Sequence, residues 1–122
     1  MKKRIRLLHR GDFQRVLARP PLYRGATILA FAAVDQRADR RPAGVPVRVG
    51  VAAARRISGA VARNRAKRRV REAVRVSLAA GFGGLQMGIC YDVVVIARPA
   101  ALTAPLEQIT ADVRRAWERL DS

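Results

Sequence analysis

One stretch of the chain, residues 55 to 75, combines dense positive charge with the spacing of an amphipathic helix. It holds nine Arg or Lys residues and a single acidic residue, Glu72. Guanidinium and ammonium groups bind phosphates, and each phosphate that they neutralise releases condensed counterions, which adds affinity independent of sequence. These residue types therefore indicate contact with a polyanion, and nucleic acid is the expected one.

The spacing within this stretch predicts a helix from about residue 60 to residue 78. Its buried stripe consists of small apolar residues, namely Ala62, Ala66, Val70, Ala73 and Val74. Basic residues recur every four positions on the other side, flanked by three more arginines: Arg63, Lys67, Arg71 and Arg75, with Arg65, Arg68 and Arg69. Like charges at this spacing destabilise a helix by about 0.2–0.5 kcal/mol per pair. An external polyanion explains the row better than helix stability does.

The composition of the whole chain agrees with this local pattern. The 122 residues include 25 basic and 9 acidic ones, for a net charge of +16. Half of the residues are hydrophobic, so the chain is too apolar for a disordered basic tail, and its length suits one domain. The acidic residues are scattered and His9 is the single histidine, so no group resembles the active site of a protein nuclease.

The same features bear on the compartment. Cys90 is the single cysteine and cannot form an internal disulfide, which favours a reducing, cytoplasmic location. The charged opening lacks an apolar segment long enough for a secretory signal, and no apolar stretch approaches the roughly 18 residues of a membrane span. A basic helix lying on anionic lipid is an alternative, but its Ala and Val stripe lacks residues that insert well. We expect no membrane partner.

Three strands and two further helices are predicted around the basic helix. Asp12 is expected to cap or to charge the start of a short helix, which ends before Pro20 and Pro21. Apolar runs predict strands over residues 27 to 34, 47 to 54 and 91 to 97, with an exposed connection over 35 to 46. The last helix is expected to begin near Thr103, with Pro105 in its first turn and an apolar face of Leu106, Ile109, Val113, Trp117 and Leu120.

The second of these strands alternates between two different faces. Val47, Val49, Val51 and Ala53 form a core face. The other face carries small residues after one arginine: Arg48, Gly50, Ala52 and Ala54. This flat surface suits either the close packing of a helix or the approach of a nucleic-acid backbone.

Residues 48 to 75 resemble the signature of the bacterial ribonuclease P protein subunit. In that family a strand ends in a basic pair, a glycine-containing turn follows, and a helix carries an Arg-Asn-Arg core with further basic positions. Here the pair is Arg55 and Arg56, the core is Arg63, Asn64 and Arg65, and Lys67, Arg68 and Arg71 follow. The turn reads Ser58-Gly59 where the family usually has Gly-Asn. Similarity at both ends extends the resemblance over nearly the whole chain.

The resemblance implies a fold that periodicity alone cannot predict. It implies an α+β single domain over residues 1–122, an α/β sandwich of the ribosomal protein S5 domain 2-like type. Its element order would be αβββαβα or close to it. It also implies a left-handed crossover, which is unusual because right-handed crossovers are the overwhelming default.

The resemblance also implies the function. The chain would be the protein subunit of ribonuclease P, an endoribonuclease that removes the 5′ leader from precursor tRNA. In that family the catalytic RNA performs the chemistry with bound magnesium ions, and the protein contributes binding. The implied partners are the catalytic RNA and precursor tRNA, with no small-molecule substrate. A ribosomal or other structural RNA-binding protein is the alternative that charge and size also permit.

Two binding surfaces follow from the resemblance. The catalytic RNA would contact Arg55, Arg56, Arg63, Asn64, Arg65, Lys67, Arg68 and Arg71 through phosphates, which position the RNA rather than read its sequence. The precursor leader would lie in a cleft beside the first helix, against Phe13, Leu17, Phe31 and Arg48. Phe13 would stack on a base or else pack in the core, and Leu17 can supply apolar contact only. Tyr23 is an alternative to Phe31, and Asn64 either contacts RNA or satisfies a backbone group.

Overall fold

The computed structural model describes residues 10–34, 47–79 and 91–120. In chain order the elements are α1 (Arg10–Leu17), β1 (Tyr23–Arg24), β2 (Ile28–Val34), β3 (Val47–Ala53), α2 (Ala60–Ala79), β4 (Tyr91–Ala97), a 3₁₀ turn (Pro99–Leu102) and α3 (Leu106–Leu120). The predicted order αβββαβα is confirmed, and the architecture is a mixed α+β domain around one sheet.

Within the described ranges, four strands form a single mixed sheet in the order β1-β2-β4-β3. β2 pairs antiparallel with β1 and with β4, whereas β3 and β4 are parallel. Parallel neighbours require a crossover connection, and α2 lies in the segment that joins them. The left-handed crossover and the S5 domain 2-like classification stay predictions.

The larger core lies between the sheet and the helices α2 and α3. Alternate residues of β3, including Val47 and Val49, are buried there, as the alternation predicts. The stripe of α2 is confirmed as well, since Ala66, Val70, Ala73 and Val74 are buried. Trp117 of α3 is buried too, and its indole nitrogen donates to the Oγ of Ser77 at 2.8 Å. The tryptophan is therefore a core residue, as expected.

The opposite face of the sheet is covered in part by α1. Val16 is fully buried against Ala33 of β2 and Val94 of β4. An eight-residue helix is about 12 Å long, whereas a seven-residue strand is about 23 Å long. Helix α1 alone is therefore too short to cover this face, and Ile96 and Leu29 stay half-buried.

A buried carboxylate fastens the β1–β2 hairpin to α3. The Oδ1 of Asp112 accepts a hydrogen bond from the hydroxyl of Tyr23 at 2.9 Å. Its Oδ2 accepts from the backbone nitrogen and the hydroxyl of Thr27, at 3.0 and 2.6 Å. Because these donors satisfy both oxygens, Asp112 holds the hairpin in place from inside the fold.

The two outer helices begin at Arg10 and Leu106. Helix α1 begins at Arg10, so Asp12 lies in its first turn, which agrees with the predicted role of charging the helix start and not with that of a cap. Helix α3 begins at Leu106, and the carbonyl of Pro105 accepts from the backbone nitrogens of Gln108 and Ile109 at 3.0 and 3.3 Å. Pro105 is therefore the entry residue of α3, and the prediction of a start near Thr103 is wrong. The residue pattern did not predict the two-residue strand β1 or the 3₁₀ turn, although the order implied by the resemblance includes a third strand before α2.

Several expectations lie outside the described residues. They concern the basic opening segment, the connection over 35 to 46, the glycines from Gly81 to Gly84, and Cys90. Within the described ranges, no helix is both long and apolar enough to cross a membrane.

Candidate nucleic-acid interface

Helix α2 presents its basic side chains on the side that faces away from the core. Ala66 and Val70 are fully buried. Arg68 follows Ala66 by two residues and therefore lies roughly 200° around the helix from it. Arg68, Arg65 and Arg71 are all exposed. The core thus holds one side of a rigid helix while cations line the other, which is suitable for contact with a phosphate backbone.

The turn before α2 adds two more cations to this surface. Arg55 and Arg56 are exposed, and the buried side chain of Ile57 anchors the turn beside them. Gly59 has a φ of +87°, a left-handed conformation that glycine and asparagine adopt most readily. The positive φ explains why a residue without a side chain suits this position.

Three arginines of α2 already have partners within the protein. Arg63 donates through Nε to the carbonyl of Ile57 at 2.9 Å. Arg69 donates to two carbonyls around the 3₁₀ turn, those of Ala101 at 2.7 Å and Ala104 at 2.6 Å. Arg69 is half-buried and braces α2 against this turn, so its expected place beside the exposed row is wrong.

The third of these arginines, Arg75, is exposed but forms an ion pair with Glu72 one turn earlier. The hydrogen bond from Arg75 lowers the pKa of the Glu72 carboxyl. The C-terminal end of the predicted row is thus partly neutralised. The positive surface is strongest nearer the N-terminal half of the helix.

The residues expected to contact catalytic RNA are mostly accessible. All except Lys67 are exposed, and Lys67 is half-buried: Arg55, Arg56, Arg63, Asn64, Arg65, Lys67, Arg68 and Arg71. Two roles were predicted for Asn64: contact with RNA, or a hydrogen bond to a buried backbone group. Because Asn64 is exposed, the structure favours the first. Val61, which is 85% exposed one turn before Arg65, is an apolar residue on this side of the helix that the residue pattern did not indicate.

A second candidate surface lies where α1 meets the sheet. Phe31, Val94 and Gly50 form one row across β2, β4 and β3. The ring of Phe13 lies on Gly50, and a Cβ at that glycine would come within 2.4 Å of the ring Cζ. At Gly50 the small face of β3 therefore receives a helix, which was one of the two predicted uses of this face.

The structure brings two of the predicted leader-binding residues together. Phe13 and Phe31 are half-buried and pack against the same buried cluster on this face. Leu17 is 40% exposed near the end of α1 and lies outside that cluster. Tyr23 packs against the larger core and bonds to Asp112, so the geometry favours Phe31 over Tyr23 at this surface.

Arg48 lies beside this cluster and is held by a carboxylate that was not among the predicted site residues. Its Nε and Nη2 donate to the two oxygens of Asp92, each at 2.8 Å. Arg15 of α1 also donates to Oδ2 of Asp92, and its Nη1 donates to the carbonyl of Val34 at 3.3 Å. Asp92 interrupts an apolar strand, and a buried carboxylate requires a partner, so the sequence held a signal for this cluster.

The described residues contain no group of three His, Cys, Asp or Glu side chains close enough to hold a metal ion. The buried carboxylates Asp92 and Asp112 are engaged by arginines and by hydroxyl and amide donors. The residues seen here therefore do not fit a protein-held magnesium site.

Sequence comparisons relate the chain to one family. The family model described as Ribonuclease P matches residues 1–121. A ribonuclease P protein component of Symbiobacterium thermophilum is 43% identical over 119 residues, covering 98% of this chain and 93% of that protein. The ribonuclease P protein component of Caulobacter vibrioides is 41% identical over 111 residues, covering 91% of this chain and 67% of that protein.

Comparison with solved structures supports the fold. The ribonuclease P protein of Thermotoga maritima superposes with a TM-score of 0.67 at 19% identity, covering 96% of this chain and 99% of that one. The protein of Staphylococcus aureus gives a TM-score of 0.65 at 15% identity, covering 94% and 93%. At these identities the likeness concerns architecture alone.

Proposed function

Because the chain belongs to the ribonuclease P protein family, we propose that it binds the catalytic RNA of that enzyme through α2 and the precursor leader beside α1. The protein is a component of a tRNA-processing enzyme. In the proposed division of labour, the RNA subunit cleaves the 5′ leader from precursor tRNA in the cytoplasm. The protein increases affinity for the substrate.

The exposed cationic side of α2 is the observation that carries this proposal. Arg65, Arg68 and Arg71 project from a helix whose opposite side is buried, so little conformational entropy of the backbone is lost on binding. Their contacts would be with phosphates, which fix the orientation of the protein without reading bases. Arg55 and Arg56 extend the same surface at the turn before the helix.

The leader is proposed to lie along the part of the sheet that α1 leaves uncovered. Phe13 and Phe31 offer aromatic surface that is only half-buried, and stacking on a base contributes about 1–3 kcal/mol. Leu17 adds apolar contact at the exposed end of α1. Arg48 supplies positive charge at the other end of the cluster, where Asp92 fixes its orientation.

Magnesium would supply charge stabilisation and an activated water in the cleavage reaction. As the family resemblance implies, the ion is assigned mainly to the RNA subunit. The protein's contribution is then electrostatic and positional: its cations offset phosphate repulsion where RNA and substrate meet. This contribution should matter most when magnesium is scarce.

Reconstitution at low magnesium tests the proposal. The purified chain is mixed with a bacterial ribonuclease P RNA, and cleavage of precursor tRNA is compared with RNA alone. The proposal expects faster cleavage with the protein, and expects less gain when Arg65 and Arg68 are replaced by Glu. No gain over RNA alone, or preferential capture of ribosomal RNA in a competition pull-down, would refute it.

A further inference from the structure

A single buried carboxylate joins the helix and the strands that form the proposed leader site. We propose that Asp92 is a positioning residue for leader binding, acting through Arg48 and Arg15. This inference rests on the proposed function, because it concerns the same cleft. Asp92 itself has no exposed surface, so it acts on RNA only through the groups that it holds.

The geometry places Asp92 where three elements meet. It lies on β4, Arg48 lies opposite it on β3, and Arg15 reaches it from α1. Arg48 binds both carboxylate oxygens, which fixes the plane of its guanidinium group. Arg15 binds Oδ2 and the end of β2 at Val34, and so attaches α1 to the sheet.

The two arginines that Asp92 binds are partly exposed, whereas Asp92 itself is buried. The side chain of Arg15 is 42% exposed and that of Arg48 is 21% exposed, whereas that of Asp92 is 0% exposed. A buried carboxylate destabilises the fold strongly unless charged or hydrogen-bonding partners compensate it. The pair of arginines therefore cannot move away from Asp92 without a large loss. Their charges stay at the surface of the cleft.

The contact between Asp92 and Arg15 also affects the aromatic residues, because it holds α1 in place. Phe13 precedes Arg15 by two residues on the same short helix, and its ring lies on Gly50. In β4, Asp92 and Val94 lie on the same face about 7 Å apart, so the ion cluster and the Phe13 cluster are neighbours. Release of Arg15 should let α1 shift and with it the ring of Phe13. Asp92 thus sets both the charge and the aromatic surface that face a leader.

The test uses Asp92→Asn, which keeps the shape of the side chain but removes its charge. Affinity of the reconstituted holoenzyme is measured for precursor tRNA with a leader and for mature tRNA. We expect about tenfold weaker binding of the precursor, equivalent to about 1.4 kcal/mol, and little change for mature tRNA. The loss should appear in KM and not in kcat, because the reacting bond is handled by the RNA subunit.

Two further measurements separate positioning from loss of folding. In a double-mutant cycle with Arg15→Gln, the double variant should lose little more than Asp92→Asn alone, because both changes break the same contact. Fully additive losses would overturn the inference. Asp112→Asn is the matched control: it alters the other buried carboxylate described, which lies on α3 and accepts hydrogen bonds from Tyr23 and Thr27, and it should leave the preference for leader-bearing substrate intact.

The outcomes also distinguish this inference from the proposed function. If the unaltered holoenzyme does not prefer the leader-bearing substrate, the leader site itself fails. If it does and Asp92→Asn retains that preference, the inference alone is wrong. If the Asp92→Asn variant does not fold, the test uses Arg15, the exposed partner of Asp92. Arg15→Gln must then reduce the preference for leader-bearing substrate, and Arg15→Lys must retain part of it.

Discussion

The ring of Phe13 occupies the space above Gly50 in which any other residue would place its side chain. A Cβ built at Gly50 lies 2.4 Å from the ring Cζ, well inside van der Waals contact. The close approach lets α1 settle on the sheet and leaves Phe13 half-buried. One face of the proposed leader site thus depends on a missing side chain.

Replacing Gly50 by Ala should displace Phe13 and α1. The added methyl overlaps the ring, and overpacking of this kind destabilises a protein by about 1–3 kcal/mol. We expect a lower urea midpoint and a weaker preference of the holoenzyme for leader-bearing precursor tRNA.

Gly59→Ala is the control for that prediction. Nothing lies within 4 Å of a Cβ at Gly59, but its φ of +87° strains any residue with a side chain. This variant should lose stability by about 1 kcal/mol and keep its preference for the leader. Equal loss of leader preference in both variants would show that stability, and not the Phe13 contact, governs binding.

Phe13→Ala should lower affinity for leader-bearing precursor tRNA and spare mature tRNA. Loss of a stacking platform corresponds to about 1–3 kcal/mol. Leu17→Ala, at an exposed position outside the Phe13 cluster, should have a smaller effect. Fluorescence binding assays with both substrates measure the difference. If the two substrates lose affinity equally, Phe13 is a packing residue.

Reversing Arg65 and Arg68 to Glu should weaken binding of the catalytic RNA and reduce its salt dependence. Each lost phosphate contact lowers the slope of log affinity against log salt by about one. Affinity is measured over a series of salt concentrations.

The matched control reverses Arg24 and Arg114, which are exposed on β1 and α3 and change the net charge by the same amount. Its slope should stay closer to that of the unaltered protein. An unchanged slope for the Arg65 and Arg68 variant would mean that these arginines do not touch phosphate.

Arg69→Ala and Arg71→Ala should behave differently although both residues belong to one basic run. Arg69 bonds the carbonyls of Ala101 and Ala104, so its loss should cost about 1–3 kcal/mol of unfolding free energy. Arg71 is exposed, and its loss should reduce the salt slope of RNA binding without changing stability. Urea unfolding and salt titration of both variants test this pair. A reversed pattern would contradict the assignment.

Much of the fold could be predicted from local pattern. The periodicity of α2 and the alternation of β3 yielded their buried faces, because each regular element exposes its side chains at a fixed interval. The start of α3 was misplaced because proline is compatible with both the entry and the first turn of a helix. The strand β1 is only two residues long, too short for any alternation to be recognised.

The candidate site was predictable in its charge but not in its contacts. Arg69 and Arg68 are adjacent and chemically identical, yet the structure directs one inward and the other outward. That difference depends on carbonyls more than 30 residues away in the chain. The resemblance to a family indicated the proposed leader-binding residues, while the placement of Phe13 and Phe31 beside Gly50 required the sheet register.

The sequence by itself determined that this protein is a small, strongly cationic domain with an amphipathic basic helix, since composition and periodicity are properties of the chain. The tertiary structure decided which cations remain available and which are held, as with Arg48, whose carboxylate partner lies 44 residues further on. Such pairings depend on the order and register of strands. Strand order and register are set by contacts between residues that are distant in the chain, and the local spacing of residues does not predict them.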